Sequence, residues 1–171
     1  PYPIKPEGLY EPIEYVLSMG GKRLRPTLLL MTYGLYKDDI NHATPAAVGI
    51  ETYHNHTLLH DDLMDHADMR RGKPTVHKKW NDNTAVLSGD TMLIMAFRHI
   101  MQCQCQHQTE ALDLFAHTAQ EICEGQQYDV NFETRTDVTE DEYIEMIRLK
   151  TSVLLACATK MGALLAGAPE T

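Results

Sequence analysis

Asp61, Asp62 and Asp65 place three carboxylates within five residues, in a stretch that otherwise has the apolar spacing of a helix. On a helix, Asp61 and Asp65 share a face at i, i+4, and Asp62 lies about 100° round from Asp61. Two carboxylates about 5 Å apart repel by roughly 3 kcal/mol at an effective dielectric near 20, so such a cluster needs cations. Oxygen-only ligands suit Mg²⁺ or Mn²⁺, and Mg²⁺ is commonly held by one or two carboxylates together with substrate phosphates and water. Arg70, Arg71 and Lys73 follow within a few residues, around Gly72 and Pro74. Cations beside a metal-binding carboxylate cluster point to an anionic ligand that shares the metal. The chemistry this predicts is a diphosphate held by divalent metal ions.

Other polar residues fall into register with that cluster. His54, Asp61 and Asp65 lie on one helix face at i, i+7 and i+11. A rise of about 1.5 Å per residue puts His54 about 10 Å below Asp61, a useful separation for two ligands held side by side. Lys22 and Arg25, at i, i+3, would present two cations at the start of another helix. Cations there oppose the helix macrodipole, so something other than helix stability requires them. Lys150-Thr151 offers a cation and a hydroxyl among apolar residues. A lysine is costly to bury in such a place without an anionic partner.

The elements that must position these residues read as helices throughout, with no sustained two-residue alternation. A short amphipathic helix over 9–19 is stopped by Gly20-Gly21. A second helix begins near Lys22, has Pro26 in its first turns and runs to about Tyr36. The third opens at Thr44-Pro45, where proline suits a first turn, and reaches about Asp68. Residues 70–75 read as a loop punctuated by Gly72 and Pro74. Further helices are expected over 84–104, 109–132, 140–147 and 149–165. Thr139 with Glu142 three positions on has the form of a capping box. The fold class is all-α, in one domain.

The bulk properties are compatible with a metal-dependent enzyme. The chain has 171 residues and a formal net charge of -9, which argues against nucleic acid as a partner. Its four cysteines, Cys103, Cys105, Cys123 and Cys157, show no CxxC spacing and read as reduced thiols. No apolar run is long enough to span a bilayer. The expected location is the cytoplasm.

Three motifs then identify a family. Gly20-Gly21-Lys22-Arg23-Leu24-Arg25-Pro26, Leu59-His60-Asp61-Asp62-Leu63-Met64-Asp65 and Arg70-Arg71-Gly72-Lys73-Pro74-Thr75 resemble the trans-isoprenyl diphosphate synthases, the polyprenyl synthetase family. Gly89-Asp90, Gly125-Gln126 with Asp129, and Lys150-Thr151 stand in the family's order. A lone DDxxD is weak evidence, whereas three motifs in order and at the right spacing are specific. The resemblance runs over nearly the whole chain and implies a helical bundle of the isoprenoid-synthase type around a central cavity.

It also implies a reaction, a Mg²⁺-dependent condensation of isopentenyl diphosphate with an allylic diphosphate of C5 to C15, by a homodimer. By resemblance, Asp61, Asp62 and Asp65 would hold Mg²⁺ against the allylic diphosphate, with Arg70, Lys150 and Gln126 around it. Lys22, Arg25, His54 and Arg71 would bind the diphosphate of isopentenyl diphosphate, and Thr151 would lie near the developing cation. In this family the residues four and five before the first aspartate face the growing chain. Here they are Thr57 and His56, and a small residue beside a medium-sized one reads as products of C15 to C20.

Rival readings are set beside these. The acidic cluster has a bland alternative as a solvated helix end, and His54 as a satisfied core histidine. Glu51-Thr52-Tyr53-His54 matches the ExxH of di-iron bundles, but that fold needs a second such motif and further inward glutamates. A terpene cyclase would have no second diphosphate for Lys22, Arg25 and His54 to hold. The family carries a second aspartate-rich motif downstream, and this chain reaches Thr171 before one; it also opens late, at Pro1-Tyr2-Pro3. The chain therefore resembles the N-terminal half to two-thirds of a synthase. The alternative function is a catalytically silent regulatory subunit or a diphosphate-binding fragment.

Overall fold

A computed structural model describes residues 5–103, 105 and 107–169. The opening at Pro1-Tyr2-Pro3, the end at Thr171 and Gln104, the expected last residue of one helix, lie outside the described residues. Among those described, the regular elements are helices apart from one two-stranded ribbon, as the all-α reading expects. Its contacts separate into two compact units, one of residues 1–23 and 48–102, the other of residues 24–47 and 103–171.

The first unit contains α1 (Glu7–Ser18), most of α3 (Thr44–Met64), strands β1 (Met69–Arg70) and β2 (Lys73–Pro74), α4 (Val76–Lys79) and α5 (Asp82–Ile100). In α1, Ile13 and Val16 face inward and pack with Leu59 of α3, Val76 of α4, and Ala85 and Met92 of α5. Each large apolar side chain removed from water contributes about 1.5–3 kcal/mol, so this shared core fixes the order of the helices. Gly49 lets α3 and α5 approach closely, since a Cβ there would lie 2.9 Å from the Ala96 carbonyl oxygen. The buried Ser88 hydroxyl donates to the Leu9 carbonyl, 2.9 Å away, and pins α5 to α1.

Helix α3 ends at Met64, short of the expected Asp68. His66 takes a left-handed φ of 53°. Ala67 N–H then donates to the Asp62 carbonyl at 2.9 Å, and His66 N–H to Leu63 at 3.2 Å. This is a Schellman closure, usually built on glycine, here carried by histidine. The chain reverses four residues earlier than the helical pattern suggests, and residues 70–75 gain room to fold back. They form a β-ribbon where a loop is expected. Arg71 and Gly72, at φ 51° and 75°, make the two-residue turn. Two positive φ values in a row are the backbone of a type I′ hairpin turn, and glycine at the second position makes it affordable.

The second unit contains α2 (Leu24–Gly34), a 3₁₀ turn (Ile40–Ala43), α6 (Gln108–Phe132), α7 (Glu140–Ile147) and α8 (Val153–Leu165). Helix α2 begins at Leu24, two residues later than expected. Arg23, at φ 51°, cannot belong to it, so Lys22 precedes the helix instead of sharing its first turn with Arg25. Helix α8 buries Val153, Leu154, Cys157, Ala158, Met161 and Leu165. A Cβ on Gly162 would collide with the Leu29 carbonyl of α2, so glycine sets that helix crossing. The Thr139–Glu142 capping box forms as read from the sequence. Between α7 and α8 the helix is not continuous α: Arg148–Ser152 is a π segment, where the sequence reads as α from Leu149.

All four cysteines are free thiols. Among the described residues no helix is long and apolar enough to cross a membrane.

Candidate functional site

The acidic cluster sits at the C-terminal end of α3. That end of a helix carries partial negative charge, so carboxylates there are each unfavourable by about 0.3–1 kcal/mol before their mutual repulsion is counted. Asp61 and Asp65 remain one turn apart, with Asp65 N–H donating to the Asp61 carbonyl at 2.9 Å although Asp65 lies just past the helix. Asp62 points elsewhere. Its nearly buried carboxylate accepts from Arg70 Nε at 2.8 Å, and Arg70 Nη2 stands 3.6 Å from Asp61 Oδ2. The bond to Asp62, reinforced by Asp61 and Asp65, holds the Arg70 guanidinium protonated beyond its ordinary range against the opposing effect of burial.

The hairpin delivers Arg70 because both of its ends are tied down. Thr75, 1% exposed, donates its hydroxyl to the Ala67 carbonyl at 2.7 Å, and its N–H bonds the Asp68 carbonyl at 3.1 Å. Tyr15 of α1 donates its hydroxyl to the Pro74 carbonyl at 2.8 Å. Lys79 of α4 lies 3.9 Å from the Tyr15 ring centre and 4.5 Å from that of Trp80, a cation–π contact that ties α4 to α1 just beyond the ribbon. Arg71, at the turn, reaches the Gly20 carbonyl with Nη1. Its guanidinium lies flat against Gly21, where a Cβ would stand 2.9 Å from Nη2. The Gly-Gly pair thus serves two ends, stopping α1 and seating Arg71.

The donor set suits a hard divalent cation. Three carboxylates meet one guanidinium at the negative pole of a helix, which leaves an excess of negative charge and oxygen atoms. Among the described residues no three His, Cys, Asp or Glu side chains form a closed cage for an ion. Mg²⁺ does not require one, because it takes one or two carboxylates and completes its shell with water and phosphate oxygens. Asp61 and Asp65 fit that part. Asp62, expected beside them as a third ligand, is engaged by Arg70.

The remaining first-unit residues divide by burial. His54 is partly buried on α3 and Lys22 is exposed. Glu51, one turn before His54 and the first residue of the ExxH pattern, is paired with Arg23 and accepts from Asn55 at 3.0 Å. His56 is buried, and its Nδ1 lies 2.8 Å from the Gly89 carbonyl. A carbonyl only accepts, so Nδ1 carries the proton. Burial, with His60 a ring away at 4.6 Å, pushes His56 down to about 4 despite that bond. Gly89 is glycine because a Cβ would collide with the His60 ring. Thr57 turns its hydroxyl to the His54 carbonyl at 2.8 Å.

In the second unit, Lys150 donates to Asp129 at 2.6 Å, the anionic partner that its apolar surroundings require. Lys150 and Thr151 both lie in the π segment. Gly125 of α6 explains part of the Gly125-Gln126 motif, since a Cβ there would collide with the Lys150 backbone nitrogen. Gln126 follows on α6, partly buried, and Arg25 stands in the first turn of α2. Tyr15 had no role in the sequence reading. Thr75 stood there as the last residue of a motif, and Glu51 as the first residue of a metal pattern.

Comparison with known proteins follows the same lines. The sequence model described as Polyprenyl synthetase matches residues 6–171. A geranylgeranyl diphosphate synthase of Methanosarcina mazei is 46% identical over 168 residues, 97% of this chain and 52% of that protein. A geranylfarnesyl diphosphate synthase of Natronomonas pharaonis is 43% identical over 184 residues, 97% of this chain and 54% of that protein. A crystal structure of a geranylgeranyl pyrophosphate synthase superposes with a TM-score of 0.95 at 53% identity, covering 99% of this chain and 52% of the other. The chain thus spans about half the length of the relatives it matches, and its helices follow the isoprenoid-synthase fold. With the family match extending over residues 6–171, this chain belongs to the polyprenyl synthetase family.

Proposed function

We propose that this chain carries the diphosphate-handling part of a prenyltransferase that joins isopentenyl diphosphate to an allylic diphosphate and extends it by five carbons. The observation that carries the reading is the pairing of Arg70 with Asp61 and Asp62 at the end of α3. An arginine delivered by a tied hairpin to a carboxylate cluster is the arrangement a metal-bound diphosphate needs. The allylic C–O bond breaks, diphosphate leaves, the isopentenyl double bond attacks the resulting carbocation, and a proton is lost.

When bound at Asp61 and Asp65, Mg²⁺ supplies Lewis-acid charge to the departing diphosphate. Asp62 holds Arg70 so that its free N–H groups meet the same oxygens, a fixed donor aimed where charge develops. Family resemblance supports Lys150 and Gln126 as further allylic-diphosphate ligands and Thr151 as a neighbour of the cation. It supports Lys22, Arg25, His54 and Arg71 as ligands of isopentenyl diphosphate. His56 and Thr57 bound the growing chain, which we read as C15 to C20, and the working form is a homodimer in the cytoplasm.

The test is a condensation assay with Mg²⁺, labelled isopentenyl diphosphate and C5, C10 or C15 allylic diphosphates, products being resolved by length. Elongation that stops in EDTA is expected, with C15 to C20 as the longest products. Absence of turnover with every allylic substrate would instead favour the alternative, a catalytically silent regulatory subunit or a diphosphate-binding fragment.

A further inference from the structure

Arg23 is an unlikely residue for its backbone. A left-handed φ of 51° costs an ordinary L-residue roughly 1–2 kcal/mol, and arginine has no short polar group to offset it locally. Its side chain shows what maintains the conformation. One guanidinium nitrogen pairs with the Glu51 carboxylate, and the other donates to the Leu17 carbonyl at 3.0 Å. Leu17 lies in the last turn of α1, where carbonyls lack helical partners, so Arg23 also caps α1.

Glu51 is itself fixed. Its side chain is 14% exposed, and its carboxylate accepts from Asn55 Nδ2 at 3.0 Å. Asn55 is 1% exposed and also donates to the Glu51 carbonyl at 2.8 Å. The result is a chain of contacts from the buried face of α3 through Glu51 to Arg23. On the other side of Lys22, Arg71 grips the Gly20 carbonyl and covers Gly21. Lys22, exposed like Gly21 before it, thus sits within a four-residue segment clamped at both ends.

We propose that Glu51 is a positioning residue for Lys22, holding the 20–23 segment in a left-handed turn through Arg23 so that the Lys22 ammonium is preset for a diphosphate. The proposal rests on the reading of Lys22 as a diphosphate ligand. A ligand group on a preformed loop loses less freedom on binding than one on a loose chain, and affinity rises accordingly. It also accounts for an acid paired with Arg23, the residue next to Lys22. Coulomb's law alone makes Glu51 a hindrance to anion binding, so removing its charge should tighten the site. Positioning predicts the opposite sign.

The experiment is calorimetric titration of inorganic diphosphate into the chain in EDTA, so that metal binding at Asp61 and Asp65 does not contribute. Wild type is compared with E51Q, K22A and K22A/E51Q. E51Q should weaken binding about tenfold, and in the K22A background it should cost nothing further, because the clamp acts through Lys22. Unchanged or tighter binding by E51Q overturns the inference, as does a loss that simply adds to that of K22A. If K22A itself leaves affinity unchanged, the assignment of Lys22 as a ligand fails, a result distinct from the failure of the clamp. Should E51Q fail to fold, R23G/E51Q replaces it, since glycine accepts the left-handed φ and no charge is orphaned. That variant should also lose about tenfold in a Lys22-dependent way, and wild-type affinity would overturn the proposal.

Discussion

His56 is 9% exposed and commits its Nδ1 proton to the Gly89 carbonyl at 2.8 Å, with the His60 ring and, further off, Asp90 as its titratable neighbours. Its folded value of about 4 lies below the unfolded 6.5, so between these limits the unfolded chain binds a proton that the folded chain refuses. Stability from this residue is complete above about pH 6.5, declines as pH falls through that window, and is fully lost below about pH 4. The size is of order 3 kcal/mol at about 1.4 kcal/mol per pH unit. Denaturant midpoints measured from pH 7 to pH 4 should fall for the wild type and fall less for H56F. Equal slopes would remove His56 as the cause. The neighbouring acids show a division that residue type does not reveal. Asp61, Asp62 and Asp65 are chemically alike, and only the arrival of Arg70 separates an anchor from two candidate ligands.

At the scale of elements, Gly125 has the sharpest consequence. Its bare α-carbon lets α6 lie against the backbone of the π segment, so G125A must push Leu149 and Lys150 away. Forcing a methyl group into such a contact costs roughly 1–3 kcal/mol. Thermal unfolding of G125A should show a loss of that order, and a crystal structure should show a longer distance than the present 2.6 Å between Lys150 Nζ and Asp129 Oδ2. An unchanged ion pair would show that the segment does not depend on this glycine. The same scale shows which elements a reader of the sequence can find. Helix α7 and its capping box follow from Thr139 and Glu142, because those side chains act within one turn. The α6 and α8 periodicities are equally legible, as their apolar stripes repeat. The end of α3 is not, since the left-handed residue is His66 and no glycine announces it. The β-ribbon is too short to alternate, and the π segment differs from α only in hydrogen-bond register, which packing against α6 decides. The candidate site residues could be named from their motifs, whereas the Glu51–Arg23 pair required knowing that Arg23 folds back to Glu51.

For the whole chain, a net charge of -9 means that an anionic substrate meets an unfavourable average field. Local arrangement has to overcome it, and on the proposed function the cluster at the end of α3 would turn the same excess to use by attracting Mg²⁺. A ligand that binds only the folded state stabilises it by RT ln(1 + [L]/Kd), about 2.7 kcal/mol at one hundred times Kd. Mg²⁺ and inorganic diphosphate together should therefore raise the melting temperature more than the sum of either alone. In D61N/D65N that surplus should disappear, while any rise caused by diphosphate alone persists through the basic residues. A surplus retained in the double variant would place the metal elsewhere.

The π segment over Arg148–Ser152 also bears on the history of the chain. A π turn is an α-helix that has accepted one extra residue. Removing a single position within 148–152 would let α7 and α8 join as one regular α-helix, a change that is mild for the backbone. Because the π turn takes up its extra residue locally, the faces of α7 and α8 would keep their directions, and only the residues within 148–152 would turn relative to their neighbours. Deleting Ser152 would re-aim Lys150 and Thr151 within the segment, and the Lys150–Asp129 pair is the contact that would register it. One deleted codon would thus reach Lys150 first and leave the apolar faces of both helices in place.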